Sequence, residues 1–211
     1  MSPLVQLGNV PFDLSVLSSS FPSVRHIGEK ARRLESDGSI VRLKRGLYVV
    51  SSQESGIPLN NFLLANHIYG PSYVSLQTAL RYYGLIPEHV FLTMSLATKH
   101  SRSFSTPVGS FSYYNCAPEY FSIGVRSVIE DGVGFLVASP EKAVCDLINY
   151  SRGVNLRSMK DVEVYFEEDM RIEIDSLGSF KTSILEECAP LSRKENSIRT
   201  LIKFIKNERY L

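Results

Sequence analysis

The chain has only three cysteines, Cys116, Cys145 and Cys188, odd in number and widely spaced. They suit a reducing compartment better than a disulfide framework. Neither sign of charge is in excess: 23 Lys and Arg stand against 22 Asp and Glu, a formal net of +1. That balance rules out a histone-like polybasic binder, so any nucleic-acid site must be local. No apolar run approaches the ~20 residues that span a bilayer, and no membrane partner is expected. The opening MSPLVQLGNV lacks a basic n-region and an apolar h-region, so no secretory signal and a cytoplasmic location are expected.

Motifs of catalysis are also missing. There is no GxxxxGK[ST] phosphate loop, and Gly132-Val133-Gly134 lacks a third glycine and a strand-then-helix setting. His26, His67, His89 and His100 are scattered, none at metal-ligand spacing from another His or Cys. Cys145 falls inside a predicted helix and reads as a buried structural thiol. Asp161, Glu163, Glu167, Glu168 and Asp169 read as a solvated face. Tyr82, Tyr83, Tyr113 and Tyr114 read as packing residues. No cofactor, no metal and no enzymatic activity are expected.

What the chain does have is length and apolar content. Its 211 residues are 44% hydrophobic and 21% charged. That suits one domain or two small ones with a sizeable core, not disorder. The charge is uneven along the chain. Residues 1–50 hold seven Lys/Arg against four Asp/Glu, and residues 51–150 hold five against seven. Residues 151–211 hold eleven of each.

The basic N-terminal segment has the order of a winged helix-turn-helix. Residues 12–19 read as a short helix and Phe21-Pro22-Ser23 as a turn. Ser23 would cap a helix over 24–36, with Val24, Ile27, Ala31 and Leu34 on one stripe. Arg25, His26, Glu29, Lys30, Arg32 and Arg33 fall on the opposite face. Asp37-Gly38 would end it. Runs 40–44 and 47–50 around Arg45-Gly46 read as a hairpin. A second helix of this kind enters the major groove, and Arg42, Lys44 and Arg45 sit where a wing touches phosphate.

The rest reads as an α+β unit over 58–150 and a helical extension over 151–211, with 51–56 as a linker. The α+β unit should hold helices at 58–69 and 75–83 and a strand at 90–97. Hairpins follow at 102–115 and 124–137, the second around Asp131-Gly132. Ser139-Pro140-Glu141 opens a helix to about Tyr150. Helices at 158–168, 176–187 and 192–208 complete the tail. The last begins with Ser192 and Glu195 at capping-box spacing and carries Arg199, Lys203, Lys206 and Arg209 outside its apolar stripe.

Four stretches resemble a known family. They are VRLKRGLYV (41–49), YVSLQTALRYYGLIPE (73–88), the segment from Ala97-Thr98-Lys99 through Phe104 to TPVGSFSY (106–113), and ASPEKAVCDL (138–147). Their order and spacing over residues 23–150 resemble the AbiEi-type antitoxins of type IV toxin–antitoxin, or phage abortive-infection, systems. The resemblance implies an N-terminal winged helix that represses its own operon. It also implies a second domain that counters a nucleotidyltransferase-like toxin, with no stable complex between the two. The helix that usually precedes the helix-turn-helix in the family is short or missing here.

On this reading the chain is a DNA-binding antitoxin and transcriptional autorepressor. Arg25, His26, Glu29 and Lys30, with Ser23 at the cap, would lie nearest base edges. Arg32, Arg33, Arg42, Lys44 and Arg45 would meet phosphates. Two copies on an inverted repeat of operator DNA would bind better than one. Arg81, Lys99 and Arg102, the nearby cations of the middle segment, would extend the footprint or meet another partner. The alternative is an RNA-binding or protein-adaptor module with no antitoxin role.

Overall fold

The computed structural model describes residues 3–88 and 91–208; His89, Val90 and Arg209 of the readings above lie outside that range. The architecture is α+β. A 3-10 turn, Val5–Leu7, leads to helix α1, Leu14–Ser20. Asp13 caps α1, its carboxylate accepting from the N–H groups of Ser15 at 2.9 Å and Val16 at 3.0 Å. These are donors that a helix start leaves without partners.

Helix α2 spans Ile27–Ser36 and starts later than its periodicity suggests. Pro22 and Ser23 form a turn, closed by the Val24 N–H donating to the Phe21 carbonyl at 3.0 Å. His26 holds the cap position without a side-chain bond, so Ser23 is not the cap. Strands β1 (Ile40–Lys44) and β2 (Leu47–Val50) pair antiparallel, with Ile40 opposite Val50 and Arg42 opposite Tyr48. A bulge at Leu43 breaks the register between Arg42 and Lys44. Gly46 closes the two-residue turn at φ 78°, a conformation glycine adopts without steric cost. Phe12 adds a bridge to Tyr48, exchanging both backbone bonds at 2.8 and 2.9 Å.

The hairpin is buried on both faces. Ile40, Tyr48 and Val50 join Leu4, Phe12, Leu17, Ala31 and Leu34 in a small N-terminal core. Leu43 and Val49 join the large core of the rest of the chain. The segment read as a linker contains a helical turn, α3 (Ser52–Ser55), capped by the Ser51 hydroxyl.

Helix α4 (Asn61–Ile68) is capped by Asn60, which leaves Pro58 outside it. Next come β3 (Ser72–Val74), α5 (Leu76–Tyr82), β4 (Leu92–Ala97), β5 (Arg102–Thr106), β6 (Gly109–Asn115) and α6 (Pro118–Phe121). Strands β5 and β6 form a hairpin, and a third hairpin, β7 (Val125–Glu130) and β8 (Val133–Ala138), turns at Asp131-Gly132, both at positive φ. Ser139 caps α7 (Pro140–Tyr150), accepting from the Lys142 N–H at 3.3 Å. The six strands form one mixed sheet, ordered β5-β6-β4-β3-β8-β7 and separate from the β1–β2 hairpin. Strand β3 is parallel to β8 and antiparallel to β4, and β4 is parallel to β6.

Helix α4 covers one face of this sheet, where its Ala65 carbonyl accepts from the Tyr113 hydroxyl at 2.7 Å. Helices α5 and α7 cover the other, where Tyr73 reaches Asp146. The tail packs into the same core through Leu156, Val162, Phe166, Leu185, Leu201 and Ile205. Its elements are α8 (Met159–Glu163) with a following π-helical stretch (Val164–Asp169), α9 (Ile174–Gly178), α10 (Thr182–Cys188) and α11 (Glu195–Glu208). The single helix read over 176–187 is thus two. The backbone N–H of Lys181, at the cap of α10, donates to the Glu141 carboxylate at 3.0 Å. Among the described residues no helix is long and apolar enough to cross a membrane.

Candidate nucleic-acid interface

The basic residues of the N-terminal segment divide into two groups. Ser23 and Arg25 are exposed in the turn before α2, and His26 sits at its cap. Glu29 lies in the first turn of α2, with Arg32 and Arg33 exposed further along. The buried stripe of α2 is Ala31 and Leu34, with Ile27 packed beside them, so these polar side chains face away from the small core. Lys30 is half-buried, its ammonium 5.1 Å from the centre of the Phe21 ring. Arg25 is therefore not on the helix itself, and Lys30 is partly occupied by an aromatic neighbour.

The second group lies at the hairpin tip. Arg42 is exposed on β1, and Arg45 is exposed at the turn. Lys44 is half-buried and donates to the Ile68 carbonyl at 2.5 Å, at the C-terminal end of α4. Cations there offset the carbonyl end of the helix dipole. Lys99 donates to the Gly70 carbonyl just beyond. Its ammonium stands 5.5 Å from the Tyr69 ring centre, and the Arg102 guanidinium stands 5.0 Å from that of Phe104.

Lys44, Arg45, Lys99 and Arg102 thus line one cleft of ≈ 540 Å³, together with Asn66, His67, Tyr69, Gly70 and Phe104. Burial, then the charges of Lys99 and Arg102, push the Lys44 ammonium below the usual lysine value. Partial desolvation also lowers the His67 imidazole below its usual value. Among the described residues no carboxylate forms an ion pair with any of the four cations. Arg81 does not line this cleft. It lies on α5 and donates to the Ile86 carbonyl at 3.3 Å.

The aromatic lining of the cleft escapes a reading of the sequence. Tyr69 ends a helix pattern and Phe104 belongs to an ordinary strand pattern. Only the fold brings them beneath Lys99 and Arg102. The cleft concentrates positive charge over apolar rings, and its donors are cationic. It can hold an anion.

A second polar cluster is fully buried beneath the sheet. Asp146 and Lys142, one turn apart on α7, are each 0% exposed, with the ammonium 3.4 Å from Oδ1. Oδ1 also accepts from the Tyr120 hydroxyl at 2.7 Å. Oδ2 accepts from Ser75 at 2.6 Å and Tyr73 at 3.1 Å. Lys142 donates to the Tyr120 carbonyl at 2.9 Å and stands 3.0 Å from that ring's centre. Burial pushes the Asp146 carboxyl above its usual range, opposed by Lys142 and the three hydroxyls. The cluster ties β3, α5, α6 and α7 together at a point closed to solvent. It is a structural centre, and the stretch 138–147 is internal scaffold.

No protein-family model matches this chain, and no curated protein matches it.

Proposed function

We propose that the chain is a duplex-DNA-binding antitoxin that represses its own operon, with its N-terminal unit working as a winged helix-turn-helix. The observation that carries the reading is the exposed basic surface made by Arg25, Arg32 and Arg33 at α2 and by Arg42 and Arg45 on the hairpin. Short helix, turn, basic helix and hairpin follow one another, and Phe12 adds a single backbone bridge to the hairpin. Such a unit sets its second helix in the major groove and lets the wing rest on backbone.

In this reading Arg25, His26 and Glu29 meet base edges at the N-terminal end of α2, where an arginine can make a bidentate contact to guanine. Arg32, Arg33, Arg42 and Arg45 meet phosphates and fix the register. Lys44 adds charge from behind, already bonded to the Ile68 carbonyl. Two copies on an inverted repeat would cover a promoter. The antitoxin part rests on the four stretches that resemble AbiEi-type proteins. In it, the large α+β body counters a nucleotidyltransferase-like toxin without a stable complex.

Two experiments test the two parts. The purified chain should retard the DNA upstream of its own gene more strongly than a scrambled duplex. Equal retardation of both would remove the repressor role. Co-expression should restore growth arrested by a neighbouring nucleotidyltransferase-like gene. Persistent arrest would remove the antitoxin role. Preference for single-stranded RNA over any duplex would favour the RNA-binding alternative.

A further inference from the structure

The cleft beside the hairpin draws its cations from parts of the chain far apart in sequence: Lys44 and Arg45 from the hairpin, Lys99 and Arg102 from the β4–β5 connection and the start of β5. Gathering four cations with no carboxylate partner is unfavourable, because like charges repel most strongly where solvent is partly excluded. The two lysines are partly accounted for, since they donate to the carbonyls of Ile68 and Gly70. An ammonium has three donors, so each keeps two for a ligand. Arg45 is exposed, and the Arg102 guanidinium lies against the Phe104 face.

The two rings lie under the cations and pack on one another and on Tyr113, at centroid distances of 5.2 to 5.8 Å. They are not free platforms for bases. They hold the Lys99 and Arg102 heads in place and reduce the entropy lost when a ligand is gripped. The matching ligand is a compact oxyanion with several acceptor oxygens. Because the hairpin is buried on both faces, its tip and this cleft form a continuous, fixed surface.

We infer that the cleft lined by Lys44, Arg45, Lys99 and Arg102 is a phosphate-binding site, occupied by a backbone phosphodiester of the duplex that the hairpin tip engages. The inference rests on the duplex-binding reading above and extends it. The DNA-contacting surface runs past the N-terminal unit onto the edge of the six-stranded sheet. The body that would counter the toxin is then also part of the DNA footprint. Contacts to phosphate carry no base information, so this site adds affinity without sequence preference.

The test compares the full-length chain with its Lys99→Gln/Arg102→Gln variant. Binding to operator duplex, scrambled duplex and single-stranded RNA of equal length is measured by fluorescence anisotropy across a salt series. Inorganic phosphate is added as a competitor at constant ionic strength. Circular dichroism melts check that the variant is folded.

Each phosphate contact contributes about 0.9 to the log–log salt slope. The variant should therefore lose about 2 from the slope on both duplexes. If the affinities converge at 1 M salt, it should bind about 60-fold more weakly at 0.1 M. A folded variant that binds both duplexes with wild-type affinity and slope overturns the site and leaves the duplex reading standing. Loss of RNA binding alone overturns the assignment to a duplex phosphodiester. Absence of duplex binding by the wild-type chain at low salt overturns the duplex reading itself, and this inference with it.

Discussion

Replacing Asp146 with asparagine keeps the side chain's shape and removes its charge. The consequence can be worked from its surroundings. Lys142 is wholly buried, and Asp146 is the only carboxylate in an ion pair with it among the described residues. Its other partners are the Tyr120 carbonyl and ring, the Tyr73 ring and the Cys188 sulfur at 4.0 Å. None of them is a carboxylate, so the ammonium loses its paired counter-charge. Removing one member of a buried pair typically costs about 3–5 kcal/mol. The reverse change, Lys142→Met, should cost less. Asp146 then keeps three hydroxyl donors, and its carboxyl, already pushed up by burial, can take a proton.

That asymmetry has a pH signature. A carboxyl whose folded pKa lies above its unfolded value binds more protons when folded, so it favours the native state as pH falls. The deficit of Lys142→Met should therefore shrink between pH 7 and pH 5, while that of Asp146→Asn persists. Urea unfolding followed by circular dichroism, at both pH values, measures both. The reasoning fails if Asp146→Asn lies within about 1 kcal/mol of wild type, well below the cost expected for a stranded buried ammonium. It also fails if Lys142→Met is the costlier change at pH 5.

Other consequences are simpler to state. Gly124 has φ +63°, and a Cβ there would come within 2.9 Å of Ile184 Cγ2 and Lys142 Cβ. Gly124→Ala should cost more than about 2 kcal/mol, because crowding adds to the left-handed strain of about 1–2. Gly153→Ala, at φ +77° with no neighbouring atom within 4 Å, should show the strain alone in the same melts. At Glu141 burial pushes the carboxyl up, but the Lys181 N–H, the Ser139 hydroxyl and Arg126 outweigh it and hold it below its usual 4.5. Its stabilisation is present above that pH and is lost as pH falls through the lower folded value. Glu141→Gln should thus be less stable at pH 7 and lose less on acidification, and equal acid sensitivity would contradict it. Arg25→Ala should relax sequence preference and cost about 1–3 kcal/mol on the operator. Arg45→Ala should weaken operator and scrambled duplexes alike and lower the salt slope by about 1. Equal loss on both duplexes for Arg25→Ala would mean that it does not read bases.

Local chemistry made much of this fold legible. The hairpin turns at Arg45-Gly46, Thr106–Gly109 and Asp131-Gly132 each use a glycine at positive φ. Helix α7 follows from Ser139-Pro140-Glu141, which caps, starts and charges its first turn. What the sequence hid depends on contacts made at a distance. Strand β3 has three residues, all buried, and is too short to show a period of two, although it sits inside the sheet. The break between α9 and α10 depends on Glu141, 40 positions from the Lys181 N–H it accepts. The start of α2 is displaced by a turn at Pro22 whose backbone bond outweighs the apolar spacing of Val24.

The site behaves the same way. Each basic residue of the hairpin was readable as a surface cation. Their meeting with Lys99 and Arg102 was not, because it requires β5 to lie beside the hairpin, with the C-terminal end of α4 opening into the same cleft. Arg81, equal to Lys99 and Arg102 by charge alone, does not line that cleft and bonds the Ile86 carbonyl instead. The pairing of Lys142 with Asp146 has ordinary helical spacing. Its burial became apparent only once Tyr73, Ser75 and Tyr120 converged on the carboxylate.

Duplex-DNA binding through the basic helix and hairpin is tested most directly by the salt dependence of binding to the chain's own upstream DNA. If about six phosphates are neutralised, affinity should fall with a log–log slope near −5. A flat salt response, or no duplex binding at low salt, would contradict the account.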